Sequence, residues 1–450
     1  MIFHMTIFAL SSGKGKAGVS VIRVSGEATK NAILTLTKFE KCPQPRTASL
    51  KWFYDPVTGG RLDHGLVIFF PGPNSFTGED VAEFHIHGGY AVVAGFLEAL
   101  SKIEDLRPAE AGEFTRRAFD NDKMDLTEAE GLADLINAET EGQRRQALRQ
   151  MDGNLKALYE GWRHEIISAM AYLEADIDFS EEEIPDDVTQ RITPIVKKLY
   201  DDITTHLEDG HRGERLRFGL QVVILGSPNA GKSTLLNYLS KREVAIVSDI
   251  AGTTRDALEV NLDISGFPVS IIDTAGIRKS DDAIESEGIK RAINRAEQAD
   301  LKIIIIDGSI KETADPQMID HMDQNTMVLI SKKDLGITIK SESFPENIIG
   351  SWPVSVKNGD GLYDFISAFE EEVRDRMELT DAPSLTRTRH RQHLQSALDH
   401  MNRYLAAEHF ELELLSEDLR MAARDIGKIT GYVDVEDILE KIFTEFCIGK

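Results

Sequence analysis

The chain reads as a multidomain protein of the α/β and α classes: an N-terminal α+β domain, a helical domain, and a mostly parallel, doubly wound α/β domain inserted into the helical one. Three observations carry this expectation. At 450 residues the chain is too long for one ordinary core, and about 150 residues per domain suggests roughly three domains. A helical period begins near Leu126, stops near Leu216 and resumes after Pro383. Between the two helical stretches the grammar changes to short apolar runs of buried-strand type separated by helical patterns.

The elements follow in order. Thr6–Leu10, Val19–Val24, Gly65–Phe70 and Val81–His87 are short β-rich runs broken by turns such as Pro71-Gly72-Pro73-Asn74, with one helical pattern, Ala91–Leu100, among them. Leu155, Leu158, Trp162, Ile166, Met170 and Leu173 recur every three or four residues and so share one face of a long helix. Pro194–Leu207 continues that pattern through Ile195, Leu199 and Ile203, and after Pro383 it returns with Leu394, Ala397, Met401 and Leu405, closing on Val435, Ile438, Leu439 and Ile442. Leu220–Leu225, Val269–Ile272, Leu301–Ile306 and Met327–Ile330 are the strands of the middle block. The expected segments are 1–120 (α+β), 121–219 (helical), 220–375 (inserted) and 376–450 (helical again).

Composition removes several classes. Hydrophobic residues at 41% and charged residues at 28% are those of a globular chain, which excludes wholesale disorder. Cys42 and Cys447 are the only cysteines, too few for a disulfide scaffold, and no Cys/His spacing suggests structural zinc. No apolar run reaches the ~18 residues of a membrane helix, and Met1–Leu10 lacks a basic start and a small-residue cleavage site. The expected location is the cytoplasm, with no membrane partner. The net charge of −25 is uneven: zero over 1–120, −11 over 121–219, −10 over 220–375 and −4 over 376–450. Such a chain repels phosphate backbones at long range, so a nucleic-acid substrate must meet a local basic patch or arrive with a basic partner.

The strand Leu220–Leu225 runs into Gly226-Ser227-Pro228-Asn229-Ala230-Gly231-Lys232-Ser233, a complete G-x-x-x-x-G-K-[ST] match, followed by the helical Thr234–Leu239. Glycines let backbone N–H groups close around phosphate oxygens at a helix N-terminus. Lys232 is expected to reach the β- and γ-phosphates, and the Ser233 hydroxyl to hold magnesium. Downstream, Asp273-Thr274-Ala275-Gly276 ends a strand, Gly252-Thr253-Thr254-Arg255-Asp256 fits a switch loop, Ser331-Lys332-Lys333-Asp334 follows the strand Met327–Ile330, and Ser355-Val356-Lys357 follows Pro353-Val354.

This order and spacing resemble the translation-factor-like class of small GTPases. The resemblance implies that Asp273 meets magnesium through water, that the Gly276 N–H meets the γ-phosphate and that Thr254 closes on magnesium. It further implies that Asp334 accepts from the guanine N–H donors and that Ser355, Val356 and Lys357 finish the base pocket. Two departures stand out. Ser331 replaces the Asn of the family pattern Asn-Lys-x-Asp, which lowers the expected nucleotide affinity. Ile277 occupies the position at which Ras-like enzymes carry a water-orienting glutamine, so another polar group must do that work. Asp281, Asp282 and Glu285 lie close by, and spacing does not choose among them.

Outside the middle block, a further set of motifs runs from residue 6 to the end. They include Ile22-Arg23-Val24-Ser25-Gly26, Pro73-Asn74-Ser75-Phe76-Thr77-Gly78-Glu79-Asp80, His85-Ile86-His87-Gly88-Gly89 and Arg107-Pro108-Ala109-Glu110-Ala111-Gly112-Glu113-Phe114. Asn121-Asp122-Lys123-Met124-Asp125-Leu126, Ile177-Asp178-Phe179-Ser180-Glu181-Glu182 and Cys447-Ile448-Gly449-Lys450 complete it. Over nearly its whole length the chain resembles the MnmE (TrmE) family of tRNA-modifying GTPases. The resemblance implies a homodimer acting with the FAD-dependent partner MnmG (GidA), as a heterotetramer. Together they would place an aminomethyl or carboxymethylaminomethyl group on carbon 5 of the wobble uridine of certain tRNAs. The one-carbon unit would come from 5-formyl- or 5,10-methylene-tetrahydrofolate, held by Arg23, Glu83, Lys123 and Lys450. GTP, Mg2+ and K+ would serve the inserted domain. Asn229, Ser248, Ile250 and Thr253 would ligate K+, Asp249, Ala251 and Gly252 would line the nucleotide beside them, and Glu285 would be the catalytic carboxylate.

Plainer readings compete at several positions. His85 and His87 alternate on one strand face, but no third metal ligand is evident, so pocket lining or packing is the expectation. Cys447 sits four from the end, but Gly449 and Lys450 do not suit a prenylation box. Asp178–Asp187 reads as a solvated interhelical loop. Two rival functions share the nucleotide motifs: a regulatory GTPase whose flanks only bind, and a stand-alone folate-dependent transferase. The sequence holds no flavin or nicotinamide fingerprint, which favours an obligate redox partner.

Overall fold

The computed structural model describes residues 5–178, 188–209, 211–242, 244–245, 258–273, 299–310, 319–339, 344–378, 383–407, 412–433, 439, 442–444, 446 and 448–449. The chain divides into two compact units: Met1–Ala133 with Met151–His164 and Ala423–Lys450, and Asp134–Gln150 with Glu165–Ala422.

The first unit is built on a six-stranded sheet of order β3-β4-β5-β2-β1-β6. Its strands are β1 (Thr6–Leu10), β2 (Ala17–Ser25), β3 (Ser49–Tyr54), β4 (Arg61–Phe70), β5 (Val81–Gly88) and β6 (Leu106–Pro108). All neighbours are antiparallel except β1 and β6. Alternation sorts the side chains: Ile22, Val24, Ala82, Phe84 and Ile86 point into a core shared with α1 (Thr29–Thr37) and α2 (Tyr90–Ser101). Phe53, Phe84 and Phe96 form its aromatic centre, with centroids 5.3 to 5.6 Å apart. The register Arg23↔Glu83 puts those two polar residues together on the other face. There Phe76 and Phe114 of α3 (Glu113–Asp120) pack with Ile7 and Ala9. A C-terminal residue returns to this unit: Ile448 bridges Ala111, and the Ser11 hydroxyl donates to the Gly449 carbonyl at 2.9 Å.

Helix α4 (Leu126–Asn137) opens with a reciprocal cap. The Asp125 carboxylate accepts from the Glu128 N–H at 2.8 Å, and the Glu128 carboxylate accepts from the Asp125 N–H at 2.7 Å, so two orphan donors are satisfied at once. The helical stretches continue as α5 (Glu141–Met151), α6 (Asn154–Asp178), α7 (Val188–Leu207) and α8 (Arg212–Phe218). Pro194, which the sequence pattern suggested as a helix start, lies inside α7. Its missing N–H costs one backbone bond there.

Within the second unit a seven-stranded sheet has the order β13-β12-β11-β7-β10-β9-β8. The strands are β7 (Leu220–Gly226), β8 (Val244–Ala245), β9 (Leu258–Ile264), β10 (Phe267–Asp273), β11 (Leu301–Asp307), β12 (Thr326–Ser331) and β13 (Gly350–Pro353). From β13 to β10 the neighbours are parallel, while β9 and β8 run antiparallel at one edge. The two faces are both apolar. One packs with α9 (Lys232–Arg242) and α10 (Leu362–Met377) through Leu235, Leu239, Phe365 and Phe369, and the other through Ile304, Ile306, Val328 and Ile330. This is the mostly parallel, doubly wound sheet that the apolar runs predicted. Helices α11 (Thr388–Ala406) and α12 (Leu412–Thr430) follow, and α11 packs on α7.

Both ends of the inserted domain meet at one residue. Arg215, just before β7, donates to the Asp300 carboxylate at 2.6 Å, and the Gln221 N–H donates to its other oxygen at 3.0 Å. Arg376, at the end of α10, donates to the Asp300 carbonyl at 2.7 Å. A second attachment joins Gly142 of α5 to the β9–β10 turn, its N–H donating to the Gly266 carbonyl at 2.8 Å.

Candidate nucleotide and one-carbon sites

Ligands of open α/β sheets sit outside the carboxyl ends of the strands, where the strand order reverses. Here that point lies between β7 and its neighbours β11 and β10, and the loop Gly226–Ser233 occupies it. Its glycines are needed sterically. A Cβ on Gly226 would lie 2.5 Å from the Ile305 carbonyl oxygen, and Gly231 has φ +108°, a conformation that other residues rarely adopt. Asn229 also adopts a left-handed conformation, with φ 60°, which turns successive N–H groups toward one concavity.

Lys232 and Ser233 open α9, where the positive end of the helix dipole favours an anion. The Lys232 side chain folds back over the loop, its ammonium donating to the carbonyls of Gly226 at 2.6 Å and Ser227 at 2.9 Å. Ala230 is buried beneath the loop, while Asn229, Ser233 and Thr234 are exposed. The donor set therefore fits a magnesium-bound polyphosphate: N–H groups and one ammonium for the oxygens, one exposed hydroxyl for the metal.

The second cluster follows β12 and β13. Lys332 takes a left-handed conformation and starts a one-turn helix, Lys333–Leu335, that presents Asp334 to solvent. The buried Ser355 hydroxyl donates to the Asp334 carboxylate at 2.8 Å, fixing its direction. Lys332 pairs with Asp307 at 2.5 Å. Burial pushes the Asp307 carboxyl up, but the Lys332 ammonium and the Ser309 donors outweigh that and hold it below the usual carboxylate range. Val356 packs on the domain core and Lys357 is exposed beside it. Ser331 ends β12 next to the phosphate loop: a Cβ on Gly231 would stand 4.0 Å from its own. The phosphate loop Asn229–Thr234 thus meets the loop of Lys332 and Asp334 where Gly231 stands beside Ser331.

The Asp273 backbone ends β10 beside Ile224 of β7, at the same edge of the sheet. Ser248, Asp249, Ile250, Ala251, Gly252, Thr253, Thr254, Thr274, Ala275, Gly276 and Glu285 lie outside the described residues, as do Cys447, Lys450 and all but the first residue of the acidic stretch Asp178–Asp187.

In the first unit Arg23 and Glu83 form an ion pair at 2.9 Å, both about one-fifth exposed. The Arg23 guanidinium lies over the Phe76 ring, 5.0 Å from its centroid, and 5.9 Å from that of Phe114. Lys123 comes close through the loop that carries Phe76: a Cβ on Gly78 would lie 3.1 Å from Lys123 Cε. The site thus holds a guanidinium and a carboxylate against Phe76, with Lys123 reaching the next turn of the same loop at Gly78. Carboxylates suit the cations and ring N–H donors suit the carboxylate, so the chemistry of these residues suits a folate. His85 lies on the same strand face as Glu83, 3.6 Å from its carboxylate, whereas His87 is tied to Asp63 at 2.8 Å. Among the described residues no group of three or more His, Cys, Asp or Glu could hold a metal ion, and no helix is long and apolar enough to cross a membrane. Sequence reasoning missed the buried Ser25 and Arg117 and the half-buried Glu79, which lie behind Arg23 and Phe76; Ser25 and Glu79 stood in motifs singled out without a role of their own, and Arg117 stood in none.

A doubly wound sheet with a phosphate loop at its switch point and an aspartate on the base-side loop defines a P-loop GTPase. Comparison with known proteins gives the rest. The family profile described as GTP-binding protein TrmE N-terminus matches residues 6–123, and that described as the MnmE helical domain matches residues 126–447. The tRNA modification GTPase MnmE of Parvibaculum lavamentivorans is 50% identical over 447 residues, covering 99% of this chain and 100% of that protein. The mitochondrial 5-taurinomethyluridine-[tRNA] synthase subunit GTPB3 is 46% identical in Danio rerio and 45% in Homo sapiens, covering 99% of this chain and 93% of each relative. The chain belongs to the MnmE family of tRNA modification GTPases, and it is a GTP-hydrolysing enzyme.

Proposed function

We propose that the chain is a potassium-stimulated GTPase that modifies carbon 5 of the wobble uridine of certain tRNAs, using a folate one-carbon unit and a flavoprotein partner. The observation that carries this reading is the pairing of two chemistries in one chain. One is the phosphate loop with its lysine folded across it; the other is the Arg23–Glu83 pair beside Phe76, Phe114 and Lys123. In relatives whose names specify the product, it is a uridine substituted at position 5.

In the nucleotide site, Ser233, Thr254 and Asp273 serve magnesium and Lys232 the phosphates. Asn229, Ser248, Ile250 and Thr253 serve potassium, and Glu285 is the polar group that orients the attacking water. Asp334, with Ser355 and Lys357, reads guanine by accepting from the ring N1–H and the exocyclic amino group, donors that adenine lacks at those positions. The monovalent cation supplies charge stabilisation between the phosphates. In the first unit Arg23, Glu83, Lys123 and Lys450 hold the folate, with Glu83 accepting from the pterin N–H donors. The bound folate supplies the one-carbon unit that reaches the uridine. The partner is the FAD-dependent MnmG, in a heterotetramer built on a homodimer of this chain, in the cytoplasm. The domains are 1–120, 121–219 with 376–450, and 220–375.

Mass spectrometry of tRNA nucleosides from cells lacking the protein tests the reading. Wobble uridines should lose their carbon-5 side chain and regain it with the wild-type chain but not with Lys232→Ala. Unchanged nucleosides would leave a GTPase whose flanking domains only bind.

A further inference from the structure

Of the motif Pro73–Asp80 only Phe76 has a role in the reading above, yet Thr77 and Glu79 join a polar network that runs through Ser25 and Arg117. Thr77 is fully buried, and its hydroxyl shares a 2.7 Å hydrogen bond with the Ser25 hydroxyl. Ser25 also donates to the Glu79 carboxylate at 2.6 Å. Both oxygens of that carboxylate accept from the Arg117 guanidinium at 3.1 Å. Arg117 is 5% exposed and also donates to Glu113 at 3.0 Å. Glu113 is in turn held by Arg107. Burial pushes the Glu113 carboxyl up, but the two guanidiniums and the Glu110 N–H outweigh it and keep the group below the usual carboxylate range. On the other side of the loop, the Asn121 amide donates to the Thr77 carbonyl at 2.7 Å.

The network grips the loop at the residues between two ligand groups. Phe76, which lies under Arg23, directly precedes Thr77. Gly78, which meets Lys123, directly follows it and needs its left-handed φ of +80° to do so, since a Cβ there would lie 2.9 Å from Asn121 Cβ. Ser25 stands two residues from Arg23 on the same face of β2. Moving Thr77 therefore moves the floor of Arg23 and the neighbour of Lys123 together.

We propose that Glu79, clamped between Ser25 and Arg117, is the positioning residue of the folate site: it fixes the loop 76–78 and so sets the separation of Arg23 and Glu83 from Lys123. The inference rests on the reading of those three residues as folate ligands. Glu79 itself touches no folate; it acts through Thr77 and Phe76.

The test is a binding isotherm of the full-length chain with 5-formyltetrahydrofolate, read for both dissociation constant and number of sites. A variant that merely folds poorly loses sites and leaves the constant of the remaining ones unchanged. Glu79→Gln should keep the number of sites and weaken the constant by about tenfold or more, the cost of losing one charge-assisted bond. Thr77→Val, which removes the hydroxyl at constant shape, should weaken it too, and Thr77→Ser should restore most of the loss. An unchanged constant in both Glu79→Gln and Thr77→Val overturns the proposal, and so does a fall in sites alone. Should Glu79→Gln fail to fold, the Thr77→Val and Thr77→Ser pair decides. Arg23→Ala is the separate control. If it binds folate as the wild type does, the assignment of the site falls and the inference with it; if it alone weakens binding, only the inference falls.

Discussion

The Ser331 hydroxyl donates to the Ile306 carbonyl at 3.1 Å, across the ends of β12 and β11. A serine committed in this way is too short to reach the phosphate loop as well, although Gly231 is its neighbour. An asparagine would extend an amide, donor and acceptor together, into that gap. Ser331→Asn should therefore tighten GDP binding by about two- to tenfold, the value of one added hydrogen bond of about 0.5–1.5 kcal/mol. Titration with a fluorescent GDP analogue reads this directly, and an unchanged constant would show that the loops are held together by other contacts.

Lys232 donates to the carbonyls of its own loop and is placed to exchange them for phosphate oxygens. Lys232→Ala removes the ammonium that folds over the loop onto Gly226 and Ser227. Its GTP turnover at saturating nucleotide should fall on the order of 10²-fold or more, as when one preorganised donor is removed from a transition state. Single-turnover hydrolysis measures it.

Asp125 caps α4 but is 6% exposed, and burial pushes its carboxyl up to about 6, against the donors of Glu128 and Thr127 that favour the charge. The sign follows from linkage. Between pH about 4 and 6 the folded chain holds a proton that the unfolded chain has lost, so stability falls as pH rises through that window and levels off above it. The shift corresponds to about 3 kcal/mol at most. Asparagine caps as well without the charge. Asp125→Asn should therefore be more stable than wild type at pH 7 and lose this part of the slope, while Asp125→Ala should lose about 1 kcal/mol of capping. Thermal unfolding at a series of pH values separates the two.

Asp300 joins Arg215 and the Gln221 N–H through its side chain. Asp300→Ala leaves both donors without that partner in a partly buried place and should cost about 2 kcal/mol. Chemical denaturation of the full chain, followed by the fluorescence of Trp352, which packs on Phe365, would report the loss in the inserted domain.

Much of the architecture was legible because it is periodic. The runs Leu301–Ile306 and Met327–Ile330 are apolar on both faces, as strands covered on both sides must be, and Leu155 to Leu173 kept a helical spacing. The elements that escaped notice have weaker signals. Strand β3 is an edge whose Leu50 and Trp52 are exposed, so its alternation does not read as buried and solvent faces. Helix α3 is only Glu113–Asp120, dominated by charged residues that are inside because they pair. The phosphate loop was visible since its contacts are local in sequence. The Ser25–Glu79–Arg117 network was not, because it joins common residue types 38 to 54 positions apart, and only folding brings them together.

The Asp300 clasp has a mechanical consequence. The polypeptide leaves the helices through Arg215 and returns through Arg376, yet both arginines hold the same residue, so the insertion spans almost no distance. The bond from Gly142 to Gly266 supplies a second point, at the end of β10 opposite Asp273, roughly 20 Å along a seven-residue strand. Helix α8 adds a packed face against β7, β10 and α10, with Leu216 set into the core of the insertion, so the domain is seated on the helices that carry it and not merely threaded through them.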